Sequence, residues 1–181
     1  MGAVKALPRR PLTRADLETM PDDGHRYELI DGLLIVSPAP SWLHQRMSGH
    51  LYLALALACP PELEVLFAPF DVALADDTVV QPDLLVVRRS DYAPGGLRKA
   101  PLLALEVLSP TTRRFDLMLK RSRLEAAGCA SYWVVDPEVP SLIAWELRDG
   151  VYVEVAKVTG DDVFHATQPF AVDVVPGELV L

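Results

Sequence analysis

Two uninterrupted apolar runs constrain this chain more than anything else in it. Pro101-Leu102-Leu103-Ala104-Leu105-Glu106-Val107-Leu108 breaks its apolar pattern only at Glu106, and Asp83-Leu84-Leu85-Val86-Val87 carries an acid at its head. Runs without polar alternation read as strands covered on both faces, so the chain must build a sheet with a layer on each side. A lone carboxylate inside such a strand costs several kcal/mol unless it is paired, protonated or bound to a cation. Glu106 and Asp83 therefore need a chemical explanation.

The chain is long enough to bury a real core. At 181 residues, 50% hydrophobic and 23% charged, it reads as one globular domain over residues 1–181, not a disordered segment. Cys59 and Cys129 lack metal-knuckle or disulfide-framework spacing, which suits a reducing compartment. Met1 to Pro8 holds no signal-peptide core, and the longest apolar run, Leu51 to Cys59, is too short to span a bilayer. A cytoplasmic protein with no membrane partner is expected.

The net charge of −8 argues against a nucleic-acid partner, but its distribution does not. Between Arg88 and Arg123 nine basic residues face three acids, a local +6 that leaves −14 for the rest of the chain. The bland reading is a solvated helix face plus a loop. The functional reading is a positive rim, drawn from Arg88, Arg98, Lys99, Arg113, Arg114 and Arg121, around an acidic centre.

Local signals lay out the elements. After an extended stretch from Pro8 to Pro11, Thr13 and Asp16 mark a short helix that Pro21 ends. Arg26 to Ile30 and Leu33 to Ser37 form a hairpin about Asp31-Gly32. Ser41 caps a helix running to about Cys59, with Leu43, Met47, Leu51, Ala54, Leu55 and Ala58 on one face. Strands follow at Glu64–Phe67, Phe70–Ala75, Asp83–Val87 and Leu102–Leu108. A helix from Thr111 or Thr112 should end at Gly128, packed through Phe115, Leu119 and Leu124. Ser131–Asp136 is a strand, and Ser141–Leu147 with Val151–Val158 is a hairpin about Asp149-Gly150. Gln168 to Leu181 adds one more short strand or an edge segment. Arg88 to Ala100, with Pro94-Gly95-Gly96, reads as a mobile loop.

The order Asp83, Glu106, Lys120 then acquires chemistry. Hard cations such as Mg²⁺ take carboxylate and carbonyl oxygens and keep several waters. Two strand ends can aim two carboxylates at one point, and the Val107 carbonyl could supply a third oxygen. A lysine on the following helix could position a nucleophile or stabilise developing negative charge. Each residue has a plainer alternative. Asp83 could cap a turn, Glu106 could pair with an arginine, and Lys120 could be a solvated helix lysine. Asp116 could serve the helix dipole or pair with Lys120 at i, i+4. Glu28 could be an exposed strand residue, and His44 an exposed first-turn residue instead of a phosphate contact or base. Trp133 and Trp145 read as core or sheet-face aromatics.

Pro82-Asp83, then Glu106-Val107-Leu108-Ser109-Pro110-Thr111-Thr112, Asp116, Lys120, Gly128 and Tyr132-Trp133-Val134-Val135-Asp136-Pro137 closely resemble the Uma-two family. Tyr27-Glu28-Leu29-Ile30-Asp31-Gly32 and Ser37-Pro38-Ala39-Pro40 before His44 match its N-terminal pattern. That bacterial family of inferred endonucleases is placed in the PD-(D/E)XK nuclease superfamily. The usual lysine, two residues after the second acid, falls here on Leu108; in this family it has moved to the helix. The resemblance implies an α/β, restriction-endonuclease-like fold: a mixed central sheet flanked by helices, extended by a C-terminal β-hairpin. It implies Asp83, Glu106 and Val107 as metal ligands, Lys120 as the catalytic lysine and Glu28 as an accessory acid. It further implies Mg²⁺ as cofactor, with Mn²⁺ as a substitute, and hydrolysis of nucleic-acid phosphodiesters, DNA first. Many nucleases of this type cut two strands as dimers, which keeps a homodimer open. The rival is a non-catalytic nucleic-acid-binding or partner-binding protein on the same fold.

Overall fold

A computed structural model describes residues 10–93 and 95–181. Pro8 of the extended N-terminal stretch and Pro94 of the expected loop lie outside the described residues.

The chain opens with α1 (Arg14–Leu17), capped at Thr13, whose N–H donates to Asp16 Oδ2 at 2.8 Å. β1 (Arg26–Ile30) and β2 (Leu33–Ser37) pair antiparallel. Asp31 (φ 54°) and Gly32 (φ 73°) make the turn, both in the left-handed region that a tight hairpin requires. Only glycine fits at position 32, because a Cβ there would lie 2.6 Å from Pro11 Cβ. α2 (Trp42–Ala58) is capped by Ser41, whose side chain accepts from the His44 N–H, and stops before Pro60. Its buried face is His44, Met47, Leu51 and Leu55, so His44 takes the inward position that Leu43 was expected to hold.

β3 (Leu63–Phe67), β4 (Val72–Ala75), β5 (Thr78–Val80), β6 (Leu84–Arg88), β7 (Tyr92–Ala93), β8 (Gly96–Leu97) and β9 (Leu103–Val107) follow. A π-helical segment, Phe115–Lys120, runs directly into α3 (Arg121–Ala126), and Gly128 (φ 82°) terminates it. β10 (Ser131–Asp136), β11 (Ser141–Arg148), β12 (Val151–Thr159), β13 (Phe164–Ala166) and β14 (Val172–Val174) complete the strands, before a 3₁₀ turn at Pro176–Val180.

The architecture is mixed α/β, but with two mixed six-stranded sheets and few helices. One sheet runs β2-β1-β5-β4-β8-β7 and the other β12-β11-β10-β9-β6-β3; β13 and β14 pair separately. A single central sheet flanked by helices was expected, and the second sheet corrects that. Val72, Val80, Ile30 and Leu97 of the first sheet pack with Leu85 and Val87 of β6, covering a face where a helix was expected. On the opposite face α2 places Met47, Leu51 and Leu55 against Leu84, Val86, Leu103, Leu105 and Trp133. All five residues of β9 are buried, as the apolar run demands. The C-terminal hairpin, β11–β12, forms the edge of this second sheet.

Arg88 to Ala100 is not a free loop. It carries β7 and β8, Leu97 is buried, and the Leu97 N–H donates to the Asp71 carbonyl at 2.8 Å. The segment Phe115–Ala126 also departs from expectation. Phe115 and Leu119 are partly exposed, and the inward face is Asp116, Lys120 and Leu124. The π segment ends on Lys120 and turns a charged stripe toward the sheets, a local irregularity of the kind that recurs at functional sites.

Candidate active site

Antiparallel pairing of β6 and β9 matches Leu84 with Leu105 and Leu85 with Ala104. One step further along that register sets Asp83 opposite Glu106. Both then share the face of Leu85 and Ala104, since side chains alternate along a strand. The Val107 N–H, next to Glu106, donates to Asp83 Oδ2 at 2.9 Å. Val107 is thus tied to the site through its amide, whereas the expected contribution was its carbonyl.

Lys120 enters from the π-helical segment. Its Nζ lies 2.9 Å from Glu28 Oε1, 3.1 Å from Glu106 Oε1 and 3.4 Å from Asp116 Oδ1. It is 2% exposed, so the solvated-lysine reading is excluded. Glu28 is likewise buried, although it lies on a hairpin; its Oε1 also accepts from the Gln81 N–H at 2.7 Å. The structure therefore gathers Glu28, Asp83, Glu106 and Lys120 from β1, the start of β6, β9 and the π-helical segment.

Three further residues complete the cluster. Arg26, two positions before Glu28 and so on the same strand face, donates to Asp83 Oδ1 at 2.7 Å and comes within 3.9 Å of Glu28 Oε2. His44 Nε2 lies 3.0 Å from Asp83 Oδ2, its ring buried. Asp116 is fully buried, with Tyr132 Oη donating to its backbone carbonyl. Sequence reasoning missed Arg26 altogether. The alternation Arg26, Glu28, Ile30 was the available signal, a basic residue beside an acid on an inward-facing edge.

Charge decides what this arrangement can hold. Four buried carboxylates (Glu28, Asp83, Glu106, Asp116) face two permanent cations, Lys120 and Arg26. Fully ionised, the group carries two surplus negative charges. Burial pushes the Glu106 and Asp116 carboxyls up, and neighbouring carboxylates add to the shift despite the opposing Lys120 ammonium. Burial pushes Asp83 up too, but the His44 hydrogen bond and the Arg26 guanidinium outweigh it and hold Asp83 well below the usual carboxylate range. Burial opposes the Lys120 charge, yet Glu106, Glu28 and Asp116 keep its pKa well above an ordinary lysine's.

Glu28 Oε2 and both Asp116 carboxylate oxygens are buried without a hydrogen-bond partner. Among the described residues no three His, Cys, Asp or Glu side chains converge closely enough to cage a metal ion. The Lys120 ammonium lies against both Glu28 and Glu106. Mg²⁺ needs no such cage, since one or two carboxylates, retained waters and substrate phosphate suffice. An excess of two negative charges suits one hard divalent cation, although the unpartnered oxygens belong to Glu28 and Asp116 and both Asp83 oxygens already accept hydrogen bonds.

Two cavities adjoin the cluster. The larger, about 790 Å³, reaches Arg26, His44 and Asp83; the smaller, about 230 Å³, lies between Arg26, His44 and the Ser109–Thr112 turn. None of the six residues expected to form a positive rim lines either one. Arg88 and Lys99 pair with Asp91, Arg113 pairs with Asp136, and Arg121 lies over the Trp145 ring at 5.2 Å. Among the described residues no helix is long and apolar enough to cross a membrane.

The fold has a solved relative. A structure from Anabaena variabilis, described as "a putative nuclease belonging to DUF820", superposes with a TM-score of 0.75, covering 94% of this chain and 100% of that one at 16% identity. That likeness speaks for the fold alone. No curated protein matches the chain. The model of the Uma2 family, described as "Putative restriction endonuclease", matches residues 14–175. With residues 14–175 of its 181 matched, the chain belongs to the Uma2 family.

Proposed function

We propose that the protein is a metal-dependent endonuclease, one restriction-endonuclease-like domain that hydrolyses phosphodiester bonds in DNA. The observation that carries this reading is the meeting of Lys120 with Glu106, beside Asp83 on one sheet face. A purely structural ion pair needs one acid for one base, whereas here four buried carboxylates meet two permanent cations and His44. A buried, uncompensated excess of negative charge is expensive, and retention of it points to a cation brought in for function.

Asp83 and Glu106 would hold a Mg²⁺ ion, with Mn²⁺ as its substitute and the Val107 carbonyl as a further oxygen donor. Bound there, such an ion supplies an acidified water and neutralises charge on the scissile phosphate. Asp83 is kept ionised by His44 and Arg26 and is oriented by His44 and the Val107 amide. Lys120 keeps its proton beside Glu106 and faces the developing negative charge of the phosphate. Glu28, 2.9 Å from Nζ, also holds the Lys120 ammonium in place. Water is the nucleophile, so no covalent enzyme intermediate forms.

The test is cleavage of plasmid DNA with Mg²⁺ and with chelator, for the wild type and for Asp83→Asn, Glu106→Gln and Lys120→Met. Metal-dependent nicking that each substitution reduces by about two orders of magnitude or more supports the reading. Calorimetry with Mn²⁺ separates it from its rival. A chain that binds DNA but takes up no ion at Asp83 and Glu106 is a non-catalytic binding module.

A further inference from the structure

We propose that the larger cavity seats an unpaired nucleobase of single-stranded DNA, stacked on Phe67, so that the protein acts on strands whose bases are free. This rests on the nuclease reading and adds the form of substrate to it.

Position is the first argument. The cavity of about 790 Å³ shares Arg26, His44 and Asp83 with the acid cluster, so a nucleotide whose phosphate meets Asp83 can place its base in the cavity. The volume lies in the range of small-ligand sites. Away from the acids the lining becomes apolar and aromatic, with Tyr27, Tyr52, Phe67 and Pro69.

Phe67 is the second argument. It closes β3 and is 60% exposed, although it belongs to a regular strand paired with β6. Tyr52 of α2 braces it edge to face, with centroids 5.2 Å apart and planes at 83°. A braced aromatic ring left open beside a polar centre is an unfilled stacking surface. Gly49, one turn before Tyr52, keeps this side of α2 open, since a Cβ there would meet nothing within 4 Å.

A polar handle is the third. Gln81 Nε2 donates to Asp71 Oδ1 at 2.8 Å, which fixes the amide orientation and leaves Oε1 as a buried acceptor without a partner. Gln81 lines the cavity. Its unpartnered acceptor is buried at the cavity wall and would meet an N–H on a base edge with the side chain turned outward.

Charge is the fourth. Among the described residues Arg26 is the only lysine or arginine lining this cavity, while the basic stretch is largely paired off elsewhere. Duplex tracking needs a broad cationic surface. Single-strand binding draws much of its strength from base stacking on aromatic rings. Bases inside a duplex cannot enter a side cavity without being extruded.

Binding measured by fluorescence anisotropy in Ca²⁺, which holds cleavage back, tests this. The probes are an oligothymidylate strand, an abasic strand of the same length and a blunt duplex. Phe67→Leu should weaken binding of the oligothymidylate by about 5- to 150-fold, the equivalent of roughly 1–3 kcal/mol of stacking. Phe67→Trp should restore it, and the abasic strand should bind wild type and both variants alike. Circular dichroism checks that each variant keeps its fold. Equal oligothymidylate affinity for wild type and Phe67→Leu overturns the proposal, as does an abasic strand held as tightly as the natural one. If duplex is bound and cleaved regardless of Phe67, this inference fails and the nuclease reading stands. If no nucleic acid is bound, and none is cleaved in Mg²⁺ or Mn²⁺, both fail.

Discussion

Lys120 Nζ sits 3.1 Å from Glu106 Oε1, an ammonium and a carboxylate both buried, the one on the π-helical segment and the other in the middle of the sheet. Lys120 also holds Glu28 and lies near Asp116, so it compensates three acids at once. A solvated helix lysine would tolerate Lys120→Ala, but Lys120 is buried. Removing the ammonium strands buried carboxylates, a loss of about 3–5 kcal/mol when one partner of a buried pair is deleted. In chelator, Lys120→Ala should show a much lower denaturation midpoint. Excess Mn²⁺ should recover much of it, because a divalent ion can replace the missing charge. A variant as stable as wild type in chelator would show that the pair contributes nothing.

The pH dependence of stability has a definite sign. Glu106 and Asp116 titrate above their ordinary values of 4.5 and 3.8 because of burial and neighbouring carboxylates. A raised acid holds its proton more tightly when folded. Its contribution is present below the unfolded value and fades as pH rises through the folded one. Asp83 is depressed, so its contribution is present above 3.8 and lost only as pH falls through its lower folded value. Metal-free protein should therefore lose stability as pH climbs above the ordinary carboxylate values of 3.8 and 4.5, and Glu106→Gln should flatten that decline. Urea midpoints across the range check this, and a wild-type profile that rises with pH contradicts it.

Much of this was readable beforehand, and the failures have causes. Asp31-Gly32 fixed the first hairpin because two successive left-handed residues admit few other turns. The run Leu103–Val107 disclosed a doubly covered strand. What it did not disclose was the cover. The covering sheet is built partly from Thr78–Val80, Tyr92–Ala93 and Gly96–Leu97, strands too short to show a period. The helix face was misjudged for a different reason. Amphipathic reasoning turns Phe115 and Leu119 inward, whereas the structure buries the i, i+4 pair Asp116 and Lys120, and the further Lys120 partners, Glu28 and Glu106, lie on other elements. Compensation by distant residues leaves no local trace.

Burial and pairing also redistribute the basic stretch. Arg88, Lys99 and Arg113 are occupied by Asp91 and Asp136, and such partly exposed pairs offer little to a phosphate. Arg98 and Arg114 are exposed and form no ion pair among the described residues. Neutralising Arg98 or Arg114 should lower the salt dependence of DNA binding by about one unit of slope for each phosphate that the side chain had neutralised. Neutralising Arg88 or Lys99 should change it by less than half as much. Equal effects from both sets would indicate that the pairs open on binding.

Arg26 provides the sharpest test of how the centre is charged. Its guanidinium donates to Asp83 Oδ1 at 2.7 Å, on a carboxylate also held by His44 and the Val107 amide. It therefore competes with any cation for Asp83 without being needed to orient it. Deleting the charge should tighten Mn²⁺ binding. The Arg26 side chain is 21% exposed, so solvent screening limits the gain to about tenfold. Cleavage should nevertheless fall, because among the described residues Arg26 is the one guanidinium lining both cavities and the natural contact for a phosphate between them. Arg26→Lys keeps the charge but loses the fork, so it should leave Mn²⁺ affinity near wild type while still impairing cleavage. Calorimetry on Arg26→Ala and Arg26→Lys, read beside nicking rates, separates the two roles. Weaker Mn²⁺ binding in Arg26→Ala would mean that the guanidinium is a strut for Asp83 and not its competitor.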